Sequence, residues 1–241
     1  MKLITLSLIS MALLLAGCPS TESENVSSEG IYAQYVVEDN GSTVNVSAKF
    51  WVGDGPGGTI LDLTGNDQVQ VNGRTMAKNK DLFGVVTYTN TLPKNEFYEF
   101  TFSREKDGDV DFYGASIQLP NAMQISSPKN GQRIRRGSSL NVRWRRSSNS
   151  EDQVKISITG SGDSADGPGT TSYVRSNSGI ADDGFYTIPG GDTNPSSIKG
   201  TIHNVRVEVT RYRTHNLREF DDLNGTIEAR TKSQATGLSF Q

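Results

Sequence analysis

Apolar and polar residues alternate along most of this chain. Val44, Val46, Ala48 and Phe50 are separated by Asn45, Ser47 and Lys49, and Val69 and Val71 flank Gln70. Val154, Ile156 and Ile158 alternate with Lys155 and Ser157, and Val205, Val207 and Val209 with Arg206 and Glu208. Successive side chains of a strand point to opposite faces, so this period of two predicts half-buried strands of antiparallel sheets. Past the first 29 residues, no dozen-residue window carries an apolar stripe of helical period. Turn chemistry agrees: Asp39-Asn40-Gly41 and Lys106-Asp107-Gly108 each sit between two such runs and predict hairpins. Asn72-Gly73 and Asp183-Gly184 mark further turns, and Gly53 to Gly58 cannot be the interior of a strand.

The strand series is interrupted near Leu119-Pro120-Asn121 and starts again at Met123. We therefore expect an all-β chain with two Ig-like antiparallel β-sandwich domains, residues 30–120 and 121–241. Charge divides at the same point. Residues 18–120 hold 7 Lys and Arg against 15 Asp and Glu, a net −8, while residues 121–241 hold 16 against 12, a net +4. Such an imbalance predicts attraction between the halves.

The amino-terminal end has a different character. Met1-Lys2, the apolar run Leu3 to Leu15, and the small residues Ala16-Gly17 have the form of a secretory signal over residues 1–17, too short to span a bilayer as a mature helix. Leu15-Ala16-Gly17-Cys18 resembles the bacterial lipobox. That resemblance implies a diacylglycerol on the Cys18 thiol, cleavage before Cys18, and a membrane anchor that does not readily dissociate. Lipoproteins with Asp after the cysteine stay at the inner membrane; Pro19 stands there instead, so the expected place is the outer membrane, periplasmic or surface-facing. Residues 18–29 are polar and small and read as a flexible tether, able to extend about 40 Å.

In the second half, Pro128-Lys129-Asn130-Gly131, Gly137 to Trp144, Val154 to Ile158 and Asp183-Gly184-Phe185-Tyr186-Thr187-Ile188-Pro189 resemble the Ig-like domain of Kre9/Knh1-type cell-wall-associated proteins. The resemblance covers about 70 residues and implies a sandwich with Trp144 between its sheets. The long arm Tyr212 to Phe240 departs from it and is expected to extend the last hairpin. The layout as a whole resembles two-domain lipoproteins of Gram-negative bacteria.

Composition narrows the chemistry. One Cys excludes an internal disulfide and a Cys-rich zinc module, and two His make a multi-histidine metal centre a poor fit. A net charge of −3 argues against a nucleic-acid partner. No G-x-S-x-G or G-x-x-x-x-G-K motif occurs, and no enzymatic activity is expected. His203 shares the parity of Val205 and reads as a core-edge residue, His215 falls in a polar loop, and Asp182-Asp183 read as turn formers. Asp107, Asp109 and Asp111 have the spacing that opens an EF-hand, but Phe112 and Gln118 stand where Gly and Glu are needed. A looser hairpin calcium site and a solvated turn remain as the two readings.

Arg135, Arg143, Arg145 and Arg146 belong to the densest charge cluster, expected as a continuous exposed patch. It would serve a ligand or the contact between the halves, or be a solvated sheet face. The expected function is a membrane-anchored envelope lipoprotein acting as a structural or protein-binding module. The alternative is binding of a carbohydrate or envelope polymer, with calcium assisting.

Overall fold

The computed structural model describes residues 20–106 and 108–241. Residues 1–19 and Asp107 lie outside the described residues, and with them the expected leader and Cys18. The first ten strands are β1 (Thr21–Glu22), β2 (Ile31–Asp39), β3 (Thr43–Val52), β4 (Thr59–Asp62), β5 (Gln68–Val71), β6 (Arg74–Thr75), β7 (Ala77–Lys80), β8 (Val86–Pro93), β9 (Phe97–Lys106) and β10 (Asp109–Gln118). The remaining eight are β11 (Ile125–Ser127), β12 (Arg133–Ile134), β13 (Leu140–Trp144), β14 (Gln153–Ser164), β15 (Thr170–Ala181), β16 (Phe185–Ile188), β17 (Ile198–Asn216) and β18 (Asn224–Phe240). The helical pieces described are three-residue 3-10 turns at Ser23–Asn25, Ser28–Gly30 and Leu217–Glu219. The protein is all-β, as the alternation predicts.

Two hydrophobic clusters form. In the first, Ile31, Ala33, Tyr35 and Val37 of β2 and Val44, Val46, Ala48 and Phe50 of β3 face Tyr98, Phe100 and Phe102 of β9. The Tyr35 ring stacks on Phe100 with centroids 4.5 Å apart. In the second, Leu140, Val142 and Trp144 of β13 face Val154, Ile156 and Ile158 of β14 and Val205, Val207 and Val209 of β17. Each Val, Leu, Ile and Phe among them contributes about 1.5–3 kcal/mol by leaving water. Asp39-Asn40-Gly41 closes the β2–β3 hairpin, with Gly41 at φ +94° donating its N–H to the Asp39 carboxylate at 2.8 Å.

One sheet belongs to both clusters. Its strand order is β1-β4-β3-β2-β18-β17-β14-β15, with β8 also on β3 and β7 on β8. A four-stranded sheet, β10-β9-β5-β6, covers the first cluster, and a three-stranded sheet, β11-β13-β16, covers the second. The join is made by the long arm of the second half. β17 and β18 form a hairpin of 19 and 17 residues, and Asn224–Arg230 of β18 pairs in parallel with Tyr32–Glu38 of β2. Leu217, Leu223, Ile227 and Ala229 are therefore buried in the first cluster, although sequence order places them in the second half. Gly225 permits the approach: a Cβ there would lie 1.9 Å from the Ala33 carbonyl oxygen.

Three local expectations, for the tether, for His203 and for the polar loop at His215, are corrected. Residues 21–30 are packed onto the first sandwich, where a flexible tether was expected. β1 pairs with β4, Ser23 is fully buried, and the buried Arg104 guanidinium donates to the carbonyl oxygens of Ser23 and Val26 and to Ser28 Oγ. His203 is exposed: Asn204 adopts φ +51° where the β17–β18 register shifts, so Ile202 points inward in its place. His215 lies within β17, its Nδ1 3.5 Å from Glu219 and its ring edge-on to Phe220.

Candidate functional site

The inward face of β17 changes chemistry along its length. Val205, Val207 and Val209 enter the second core and Leu217 enters the first, but the residues between them on that face include Arg211 and Arg213, 1% and 5% exposed. β18 does the same: Ile227 and Ala229, then Thr231 and Ser233, then Ala235. The two cores are thus separated by a polar waist. An arginine held in such a place needs its charge matched and its donors used.

Both needs are met from the loops that cross the waist. Arg211 Nε donates to Asp182 Oδ2 at 2.5 Å, Nη1 to the Asn121 carbonyl at 2.6 Å, and Nη2 to the Arg145 carbonyl at 2.6 Å. The other Asp182 oxygen accepts from Trp144 Nε1 at 2.6 Å, and Oδ2 also accepts from the Ser147 N–H at 3.2 Å. Arg213 donates through Nε and Nη2 to Asp152 Oδ1 at 3.0 and 2.8 Å, while Asp152 Oδ2 accepts from Ser147 Oγ at 2.5 Å. Arg213 Nη1 reaches Gln118 Oε1 at 3.0 Å, tying in the first sandwich. On the neighbouring strand, Thr231 Oγ1 donates to Asp39, which Lys94 also meets at 2.5 Å. Asp182, expected as a turn former, is a buried ion-pair partner, its side chain 2% exposed.

A cleft of about 1070 Å³ opens over this network, lined in part by Arg145, Arg146, Ser148, Asn149, Gln153 and Asp183. A smaller opening of about 410 Å³ adjoins it where Asn121 and Ala122 pass Arg146 and Arg211. The oxygens of Asp152 and Asp182 beneath are engaged, so what the cleft offers outward is guanidinium, hydroxyl and amide groups, with the exposed Asp183 carboxylate at one side. Such donors suit recognition of an anionic group.

The four predicted arginines are all exposed but are not one patch. Arg145 and Arg146 rim the cleft. Arg143 lies on the outer face of the three-stranded sheet, its guanidinium carbon 4.9 Å from the Phe185 ring centroid. Arg135 follows β12, which lies beside Ser239–Phe240 at the end of the second sandwich remote from the waist. Among the described residues no carboxylate lies within 4.0 Å of any of the four. The contact between the halves is carried by the β18–β2 pairing, with Arg213 reaching Gln118 and with Arg230 and Lys232 meeting Glu38. Sequence reasoning did not single out Arg211 and Arg213, whose carboxylate partners lie in the second half. Their signal was parity: they continue the face of Val205, Val207 and Val209.

Asp109 and Asp111 stand exposed on β10, and Asp107 lies outside the described residues. No group of three or more His, Cys, Asp or Glu is placed to hold a metal among the described residues. No helix of the described residues is long and apolar enough to cross a membrane. Cys18 lies outside the described residues.

No family model matches the chain, and no curated protein matches it. Among solved structures it is similar to the Clostridium thermocellum CbhA fibronectin(III)-like modules, at 13% identity and a TM-score of 0.26, over 86% of this chain and 91% of that one.

Proposed function

We propose that this protein is an envelope lipoprotein, anchored through acylated Cys18 at the outer membrane, that works without catalysis as a structural or protein-binding module. The anchor rests on Leu15-Ala16-Gly17-Cys18, and the observation that carries the non-catalytic reading is the state of the waist. Asp152, Asp182, Arg211 and Arg213 are spent on one another and on backbone carbonyls, which leaves no free acid, base or nucleophile pair beneath the cleft. Arg145 and Arg146 at its rim remain available to a partner. The carbohydrate alternative is less favoured, since the residues lining the cleft include no aromatic ring on which a sugar would stack. Two measurements test the proposal. Intact-mass analysis should find an acylated Cys18 as the first residue, and Cys18→Ser should accumulate as an unprocessed precursor. A photo-crosslinker at Ser148 should trap a discrete envelope partner in cells, and reversing both Arg145 and Arg146 to Glu should abolish that product. Retention of the product in the reversed variant removes the cleft from the reading.

A further inference from the structure

The most exposed apolar side chains in the described residues are Leu82 and Phe83, 101% and 75% accessible, at the tip of the β7–β8 hairpin. The tip is built rather than loose. Asp81 Oδ1 accepts the N–H groups of Phe83 and Val85, each at 2.9 Å. The Asp81 carbonyl accepts from Gly84, and Asp81 N–H donates back to Val85. With the turn fixed this way, two large apolar side chains are held away from the protein with nothing beneath them, an arrangement that costs solubility unless something apolar receives them.

The chain itself indicates what receives them. Lys80, the last residue of β7, donates from Nζ to Ser20 Oγ at 3.1 Å. Ser20 is two residues from Cys18, so the Cys18 backbone lies within about 7 Å of it along the chain. One lysine side chain and two residues of chain therefore separate the hairpin from the point where acyl chains would leave the protein. Because Thr21–Gly30 is packed down, no long tether separates that point from the folded body.

Strand direction places both features at one pole. β8 runs from Val86 beside the tip to Pro93, which pairs with Thr43 of β3, next to Asp39 in the waist. The tip, the Ile31 end of β2 and Ser20 are accordingly at the end of the first sandwich away from the waist.

We propose that Leu82 and Phe83 insert into the membrane interface beside the Cys18 lipid, so that the first sandwich is seated on the bilayer at two points and the waist is held away from it. This rests on the acylation of Cys18 in the reading above. An apolar tip alone binds weakly and a lipid alone lets the body swing; together they fix an orientation.

The test uses the full-length lipidated protein reconstituted in vesicles of phosphatidylethanolamine and phosphatidylglycerol. Since the thiol of Cys18 is acylated, a cysteine introduced by Leu82→Cys is the one free thiol and takes an environment-sensitive fluorophore, with Asp166→Cys in the β14–β15 turn as the remote control. Recovery of both proteins with the vesicles, with the acylated N-terminus confirmed by mass, establishes the anchor first. If that step fails, the lipoprotein reading fails and the insertion proposal falls with it.

With the anchor established, the label at position 82 should emit to the blue of the label at 166. Lipids carrying a shallow nitroxide should quench it several-fold more strongly than the control, and aqueous iodide several-fold less. Adding Phe83→Asp should remove the difference while the protein stays on the vesicles. Equal quenching at the two positions overturns the proposal and leaves the anchor standing. Protection from iodide without quenching by nitroxide lipid also overturns it, in favour of a protein or a second copy covering the tip.

Discussion

Truncating Arg211 to Ala should be among the most damaging single changes in the protein. The side chain is 1% exposed and makes three short hydrogen bonds, to a carboxylate and two carbonyls. Its loss leaves Asp182 buried with Trp144 Nε1 and the Ser147 N–H but without a countercharge, and leaves the carbonyls of Asn121 and Arg145 without that donor. Breaking a buried ion pair from one side costs roughly 3–5 kcal/mol, against a total stability of about 5–15 kcal/mol. For a chain of this size that lowers Tm by about 6–20 °C. Urea unfolding followed by fluorescence measures it, since Trp51 reports from the first sandwich and Trp144 from the second, and each can be isolated by changing the other to Phe. Because β17 and β18 run through both cores, the two reporters should shift together. The paired change Arg211→Met with Asp182→Asn should cost less than the sum of its parts by at least ~1 kcal/mol, as the second substitution removes the stranded charge. A loss below ~1 kcal/mol for Arg211→Ala, the range of an exposed pair, or strict additivity in the double variant would show that the waist is not a coupled buried network.

The Tyr35 hydroxyl is buried with no hydrogen-bond partner among the described residues, so Tyr35→Phe should be neutral or stabilising by up to ~1 kcal/mol in urea denaturation. Burial pushes the Tyr35 phenol well above its ordinary value, so its contribution is full below pH ~10 and lost as pH rises further; the Phe variant should show a shallower alkaline decline. For Glu38, burial pushes the carboxyl up, but hydrogen bonds and charges from Lys232 and Arg230 outweigh it and hold the group below its ordinary value. The stability it adds is present above pH ~4.3 and lost as pH falls through the lowered value, so Glu38→Gln should cost up to ~1 kcal/mol at pH 7 and progressively less as the pH is taken down through that value. Arg104→Ala should release residues 20–30, making Glu24 and Glu29 cleavable by a Glu-specific protease while the remainder stays intact; equal cutting of the unmodified protein would mean the segment is not held.

Much of the fold is legible in the sequence because alternation is a local signal. Val44 to Phe50 and Val205 to Val209 declare their buried face, and Asp39-Asn40-Gly41 declares its turn. What stays hidden depends on partners far away in the chain. Nothing near Asn224 announces that it will lie beside Tyr32, since parallel pairing at such separation leaves no turn signature, and Gly225 resembles any loop glycine. Residues 18–29 have the composition of a linker, and the side chain that captures Ser23, Val26 and Ser28 among them, Arg104, belongs to a strand about eighty residues on. His203 was misplaced by a bulge of one residue, which inverts parity without changing composition. Asp182 looks like a turn former because the arginine it neutralises is 29 positions away. The attraction expected from the opposite charges of the halves is met at Glu38, which pairs with Arg230 and Lys232 beside the shared β2–β18 edge, while the buried ion pairs of Arg211 and Arg213 lie within the second half.

That shared sheet sets an order of events during biosynthesis. The first sandwich needs Leu217, Leu223, Ile227 and Ala229 to close its core and Asn224–Arg230 to cover the edge of β2, so it cannot finish folding until nearly the whole chain has been delivered. Until then β2 presents open backbone and apolar side chains to any passing strand. A chain threaded outward from its amino-terminal end would carry this unfinished first half across the membrane ahead of the segment that completes it. Translation delivers the closing strand of the first sandwich last, which makes the seventeen-residue β18 the latch that ends this unfinished state.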